Sequence, residues 1–231
     1  MRALSLILAL VATQAHADGI TAIPYEDLTY TAPNLVTFDR LPPKPFPGYS
    51  FDHGIAFPGG HLGERLAGQT LTQVQPDDGG PHDALAGPPT TPLALVPAAP
   101  GQGVSLSLHI AHGSMALYPL GPLGQPHPQA RGEGAIAVLL TEDACAVGLK
   151  VHTQFTNDLG LNTGHVGDVT VTLYARDGTR LTAVQLAPPE GISAHGLFDA
   201  QARIAAMTVE NRDPGGITID DLRFGCPKAI G

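Results

Sequence analysis

Alternation of apolar and polar side chains is clearest in the C-terminal half of the chain. Over 168–175 and 180–186 the two kinds of residue alternate, and Arg176-Asp177-Gly178-Thr179 separates the runs. Asp-Gly between alternating runs predicts a β-hairpin. A two-residue Asp177-Gly178 loop sets Val169 opposite Leu186, Val171 opposite Val184 and Leu173 opposite Thr182, all on one face. The other face then carries Thr170 with Gln185 and Thr172 with Ala183, so the hairpin is apolar inside and largely polar outside.

The stretch 216–224 reads as a closing strand, with Ile217 and Ile219 on one parity and Leu222 and Phe224 on the other. A side-chain period of two cannot keep all four on one face, so the register must shift near Asp220-Asp221. A β-bulge there turns one or both carboxylates toward a sheet rim.

Further strands are expected over 35–39, 49–57, 135–141, 144–153 and 203–211. The pair 135–141 and 144–153 flanks a turn at Glu142-Asp143, and 212–216 is expected to join 203–211 to the closing strand as a hairpin. The ambiguous run 197–206 is read as β, because Gly196 and the flanking strands crowd it. The Pro- and Gly-rich stretches 76–103 and 119–134 are expected to form loops or a covering arm without a regular ladder. This pattern predicts an all-β protein, a two-sheet antiparallel β-sandwich with long Pro/Gly-rich loops.

Composition narrows the picture without changing it. Charged residues are only 14% of the chain, with 28 Gly, 22 Pro and no Trp, which is too apolar for disorder and too rich in turn formers for a helical protein. Arg2, the apolar run 3–12 and Ala15-His16-Ala17 make a signal-peptide pattern over 1–17, leaving 18–231 as one domain. The apolar run is shorter than the roughly 20 residues a membrane span needs, so the expected location is periplasmic or extracellular with no membrane span after cleavage. The net charge is −9, and loss of Arg2 makes it more negative. Such a chain repels phosphate backbones and anionic lipid, so nucleic acid is not an expected partner.

Cys145 falls at the start of one expected strand and Cys226 at the end of the closing strand, so antiparallel neighbours bring them together. In an oxidising compartment they are expected to form a disulfide.

Catalytic signatures are sparse. His109 and His112 lie on a strand-like stretch that would send them to opposite faces, which argues against a transition-metal site. There is no H-E-x-x-H, G-x-S-x-G, Walker loop or dinucleotide fingerprint, although carboxylate pairs of glycosidases come from distant strands and leave no local motif. Asp39, Asp220 and Asp221, at strand ends and the expected bulge, are candidate ligands for calcium, which takes oxygen donors from carboxylates, carbonyls and water. The competing reading is that they are turn carboxylates capping backbone N–H groups.

Thr37-Phe38-Asp39-Arg40-Leu41-Pro42, then Tyr49 through Gly54-Ile55-Ala56-Phe57, and finally Gly216-Ile217-Thr218-Ile219-Asp220-Asp221-Leu222-Arg223-Phe224 resemble the opening and closing motifs of jelly-roll domains in exported bacterial proteins. These include galactose-binding-like and carbohydrate-binding-module-like sandwiches and domains that precede PEP-CTERM sorting tails. The resemblance implies a jelly roll, no catalysis, and a structural calcium between the opening and closing strands, held by Asp39 with Asp220 or Asp221. The hydrophobic sorting tail is not found after Phe224, and without Trp a Tyr or Phe would have to serve as the sugar-stacking platform. The expected function is an exported non-catalytic module that binds polysaccharide or cell-envelope glycan. A structural, adhesion or protein-binding envelope protein is the alternative, and a carbohydrate-active hydrolase comes third.

Overall fold

The Asp-Gly hairpin forms with Val169 opposite Leu186, Val171 opposite Val184 and Leu173 opposite Thr182, as expected. Its loop is not the two-residue Asp177-Gly178 turn: the register shifts after Leu173, Tyr174 pairs with Arg180, and the Ala175 N–H donates to the Thr179 carbonyl at 2.9 Å. The computed structural model describes residues 19–76, 79–153 and 165–227. The signal peptide expected over 1–17 lies outside the described residues.

The first strands are short: β1 (Ile20–Ile23), β2 (Asn34–Val36), β3 (Tyr49–Phe51), β4 (Ile55–Phe57), β5 (Gly60–Gly63), β6 (Arg65–Leu66), β7 (Thr70–Val74), β8 (His82–Ala86) and β9 (Leu95–Val96). Longer ones follow: β10 (Leu106–Ala111), β11 (Ser114–Pro119), β12 (Ile136–Ala144), β13 (Ala146–His152), β14 (Val169–Tyr174), β15 (Arg180–Leu186), β16 (Ile192–Asp199), β17 (Ile204–Asn211) and β18 (Thr218–Gly225). A short α-helix, Leu28–Thr31, seals the first sheet near β13 with Leu28 fully buried.

The first sheet runs β1-β16-β13-β18-β11-β10-β3, with β2 also on β18, and the second runs β15-β14-β17-β12-β5-β4. The four-strand block β11-β18-β13-β16 in one sheet matches β12-β17-β14-β15 in the other, which is the strand order of a jelly roll. Its inner faces meet in one core that includes Leu117, Val138, Leu149, Val171, Met207 and Ile219. All-antiparallel sheets packed face to face bury one side of each strand and leave the other free to carry polar groups.

Four local expectations are corrected. The run 49–57 is two strands in different sheets, split at Asp52-His53-Gly54. Gly54 has φ +78° there, and a Cβ would come within 2.2 Å of the Leu62 carbonyl oxygen. The apolar runs around Glu142-Asp143 do not pair side by side. β12 and β13 belong to opposite sheets, and Val138, Leu140, Val147 and Leu149 all point into the core between them.

Residues 212–216 likewise carry the chain from β17 to β18 between sheets rather than closing a hairpin. The stretch 76–103 does contain ladders, β7 with β8 and β6 with β9. Its prolines bracket these strands instead of interrupting them, so no ladder hydrogen bond is lost. Both small sheets lie over the outer face of the second sheet, where Leu66 and Leu93 pack on Ala137, Tyr174 and Ala206.

Candidate functional site

The closing strand carries the bulge the parity argument requires. Gly148 pairs with Arg223 and Lys150 with Asp220, so β18 holds one residue more than β13 over that interval. Asp221 takes φ +45°, in the left-handed region that one type of bulge uses. The shift puts Ile217, Ile219, Leu222 and Phe224 in the same core.

It also separates the two carboxylates. Asp220 is buried and accepts from the Ser114 hydroxyl at 2.9 Å and from the Asp221 N–H at 2.8 Å. Asp39, in the turn after β2, accepts from the Met115 N–H at 2.9 Å. These two therefore converge on the start of β11. Burial raises the pKa of Asp220 despite those donors, and the negative charges of Asp221 and Asp39 add to the effect. Asp221 points elsewhere, 2.5 Å from Lys150 Nζ, and the Tyr25 hydroxyl donates to its carbonyl.

The donor set fits calcium in part: two carboxylates and a hydroxyl meet where three carboxylates were expected. Among the described residues no group of three or more His, Cys, Asp or Glu is arranged to hold a metal ion. The two histidines of β10 and its turn are engaged separately. His109 stacks on Tyr118 at 3.5 Å, and burial lowers its pKa to about 4. His112 meets His152 edge-on at 5.1 Å.

A second polar region lies on the outer face of the second sheet. Because Val169, Val171 and Leu173 point into the core, Thr170, Thr172 and Tyr174 point out. Gln185 of β15 joins Thr170 by a hydrogen bond of 2.7 Å, and Thr170 faces Glu210 of β17. The β7–β8 hairpin forms one wall of this face, fastened where the Leu85 N–H donates to Glu210 Oε1 at 2.6 Å. Two cavities result, with Glu210 common to both. One, of about 260 Å³, is lined by Asp83, Asp168, Thr170, Gln185 and Arg212 among others. The other, of about 360 Å³, is lined by Gln69, Thr172, Tyr174 and Arg180 among others.

Electrostatically this trough is acidic and partly desolvated. Burial pushes the Asp83 carboxyl up to about 7, Glu64 beside it adds to the rise, and Arg65 opposes it. Burial also raises Glu210, against the Leu85 N–H and Arg212. The Tyr174 hydroxyl accepts from Gln69 Nε2 at 3.1 Å, which holds the ring at the floor.

The hairpin alternation had marked Thr170, Thr172 and Gln185 as outward polar positions. Nothing in sequence pointed to Asp83, because its strand sits inside a Pro/Gly-rich stretch and reaches the sheet only through tertiary packing.

Cys145 and Cys226 form the expected disulfide, with Cα atoms 4.7 Å apart. The Cys145 N–H donates to the Gly225 carbonyl at 3.0 Å, so the bridge lies on the β13–β18 ladder. Among the described residues no helix is long and apolar enough to cross a membrane.

No family model matches the chain, and no curated protein matches it. A solved structure of a mutant family 29 carbohydrate-binding module is similar at 13% identity and a TM-score of 0.29, over 55% of this chain and 80% of that one. A likeness of this extent carries no argument about function.

Proposed function

We propose that this jelly roll is an exported, non-catalytic binding module that takes a glycan along the trough on the outer face of its second sheet. The observation that carries the reading is the row Thr170, Gln185 and Glu210, left open to solvent between the covering hairpin and the sheet edge. Sugars present hydroxyls on both edges of a nearly flat ring, and a sheet face studded with short donors and acceptors matches them without a deep pocket. Tyr174 lines the neighbouring cavity but is itself buried against Leu66 and Leu93, so sugar contact there would come through the polar groups of Gln69, Thr172 and Arg180. Export is supported by the signal-peptide pattern and by the disulfide.

A structural calcium ion is part of the same reading, held by Asp39 and Asp220 with the Ser114 hydroxyl, carbonyls and water completing the shell. Asp221 would keep its Lys150 partner and contribute through the bulge it forms. The ion's role would be to neutralise two converging carboxylates and pin the closing strand to β11.

The test is binding of the mature chain to a broad panel of glycans and envelope polysaccharides, with calcium and then with chelator. Saturable binding that Thr170→Arg removes, without a change in melting temperature, supports the trough. Silence across the panel removes the glycan reading and leaves a structural or protein-binding role.

A further inference from the structure

At the sandwich edge remote from β15, β3 ends the first sheet and β4 ends the second. Only Asp52-His53-Gly54 separates them in sequence, so the two sheet edges are tied at one corner and stand apart beyond it. A cavity of about 460 Å³ opens there. Val36, Leu41, Phe51, Ile55 and Phe57 wall it, each half-buried and packed on the main core. Behind them Phe57 meets Phe224 edge-on at 5.5 Å.

A concavity of this size, mostly apolar with few polar groups, has the general form of a small-molecule site. Empty, it would keep aromatic and aliphatic surface against water, at a free-energy cost that grows with area. The charged group in its lining is Arg40, exposed and without a hydrogen-bonding or ion-pair partner among the described residues. Acidic residues number 21 against 12 basic ones in the whole chain, yet among the described residues none pairs with this guanidinium. Its planar fork matches a carboxylate or phosphate group arriving from outside.

We propose that this cavity binds the hydrocarbon chain of a single-chain amphiphile, whose carboxylate or phosphate head pairs with Arg40 at the mouth. The site is separate from the glycan trough and stands whether or not a glycan binds.

Calorimetric titration of the mature chain with octanoate, decanoate and dodecanoate, below micelle-forming concentrations, tests it. Affinity is expected to rise about three- to fourfold per added methylene until the cavity is filled. The methyl ester of the best acid should bind about tenfold more weakly, because it offers Arg40 no charge.

Arg40→Met should abolish the preference for acid over ester while keeping the chain-length dependence. Ala56→Trp, at an exposed position in the cavity wall, should block uptake with an unchanged melting temperature. Dodecyl phosphate replaces dodecanoate in a parallel arm, and saturable uptake of either supports the proposal.

Affinity independent of chain length overturns it, as does equal binding of acid and ester. Binding to anionic phospholipid vesicles without uptake of any free amphiphile also overturns it, since that would make the edge a membrane surface. Self-association that buries this edge and excludes dodecanoate does the same.

Discussion

The carboxylate of Asp220 accepts a hydrogen bond from the Ser114 hydroxyl at 2.9 Å, tying the closing strand to the start of β11. Asp39 meets the same short segment through the Met115 N–H. Two carboxylates thus converge where the hydrogen bonds supplied by the chain leave Asp220 with a raised pKa. Calcium at a hundred times its dissociation constant should stabilise the fold by about 2.7 kcal/mol. Melting curves with calcium and with chelator should therefore separate, and Asp220→Asn should bring them together. Superimposable curves for the native chain would reduce both aspartates to capping groups.

Asp221 offers a test of the bulge itself. Its φ of +45° costs a branched residue about 1–2 kcal/mol and costs glycine little. Asp221→Gly and Asp221→Val both lose the contact with Lys150, so their difference isolates the backbone. Denaturant unfolding should place the valine variant lower by about that amount. Equal stabilities would mean the strand has re-registered.

The Cys145–Cys226 bridge closes a sequence separation of 81. Restricting a loop of that length in the unfolded chain is worth about 4.5 kcal/mol in the chain-entropy account. The double alanine variant should show that loss in urea, with the midpoint falling. A loss near zero would show that β13 and β18 are held by packing alone.

Glu133 makes stability depend on pH in an unusual direction. Burial pushes its carboxyl from 4.5 up to about 8, with Arg131 opposing and Asp213 adding to the rise. Between those values the folded chain keeps a proton that the unfolded chain has released. The stability it contributes is therefore complete below about pH 4.5 and is lost as pH rises through about 8. Urea midpoints should fall between about pH 5 and pH 8, and Glu133→Gln should flatten the slope.

Much of this molecule is written locally. Period-two alternation set the pairing of β14 with β15 from Val169 to Leu173, because burial of one face leaves a single solution, while the register shift after Leu173 and the longer loop were not legible in it. The conflict of parity in 216–224 announced the bulge at Asp220-Asp221 for the same reason, since only an extra residue buries all four apolar side chains. Cys145 and Cys226 were pairable from their places at strand ends.

Which sheet each strand joins was decided only by tertiary structure. An apolar run reads the same whether its partner lies beside it or across the core, so β12 and β13 looked like a hairpin and instead lie in opposite sheets. Whether a Pro/Gly-rich stretch stays a loop depends on the surface it lands on. The outer face of the second sheet turned 82–86 into a strand and brought Asp83 toward Glu64. Asp39 and Asp220 are adjacent because β2 and β11 both pair with β18, a long-range arrangement that local spacing does not encode.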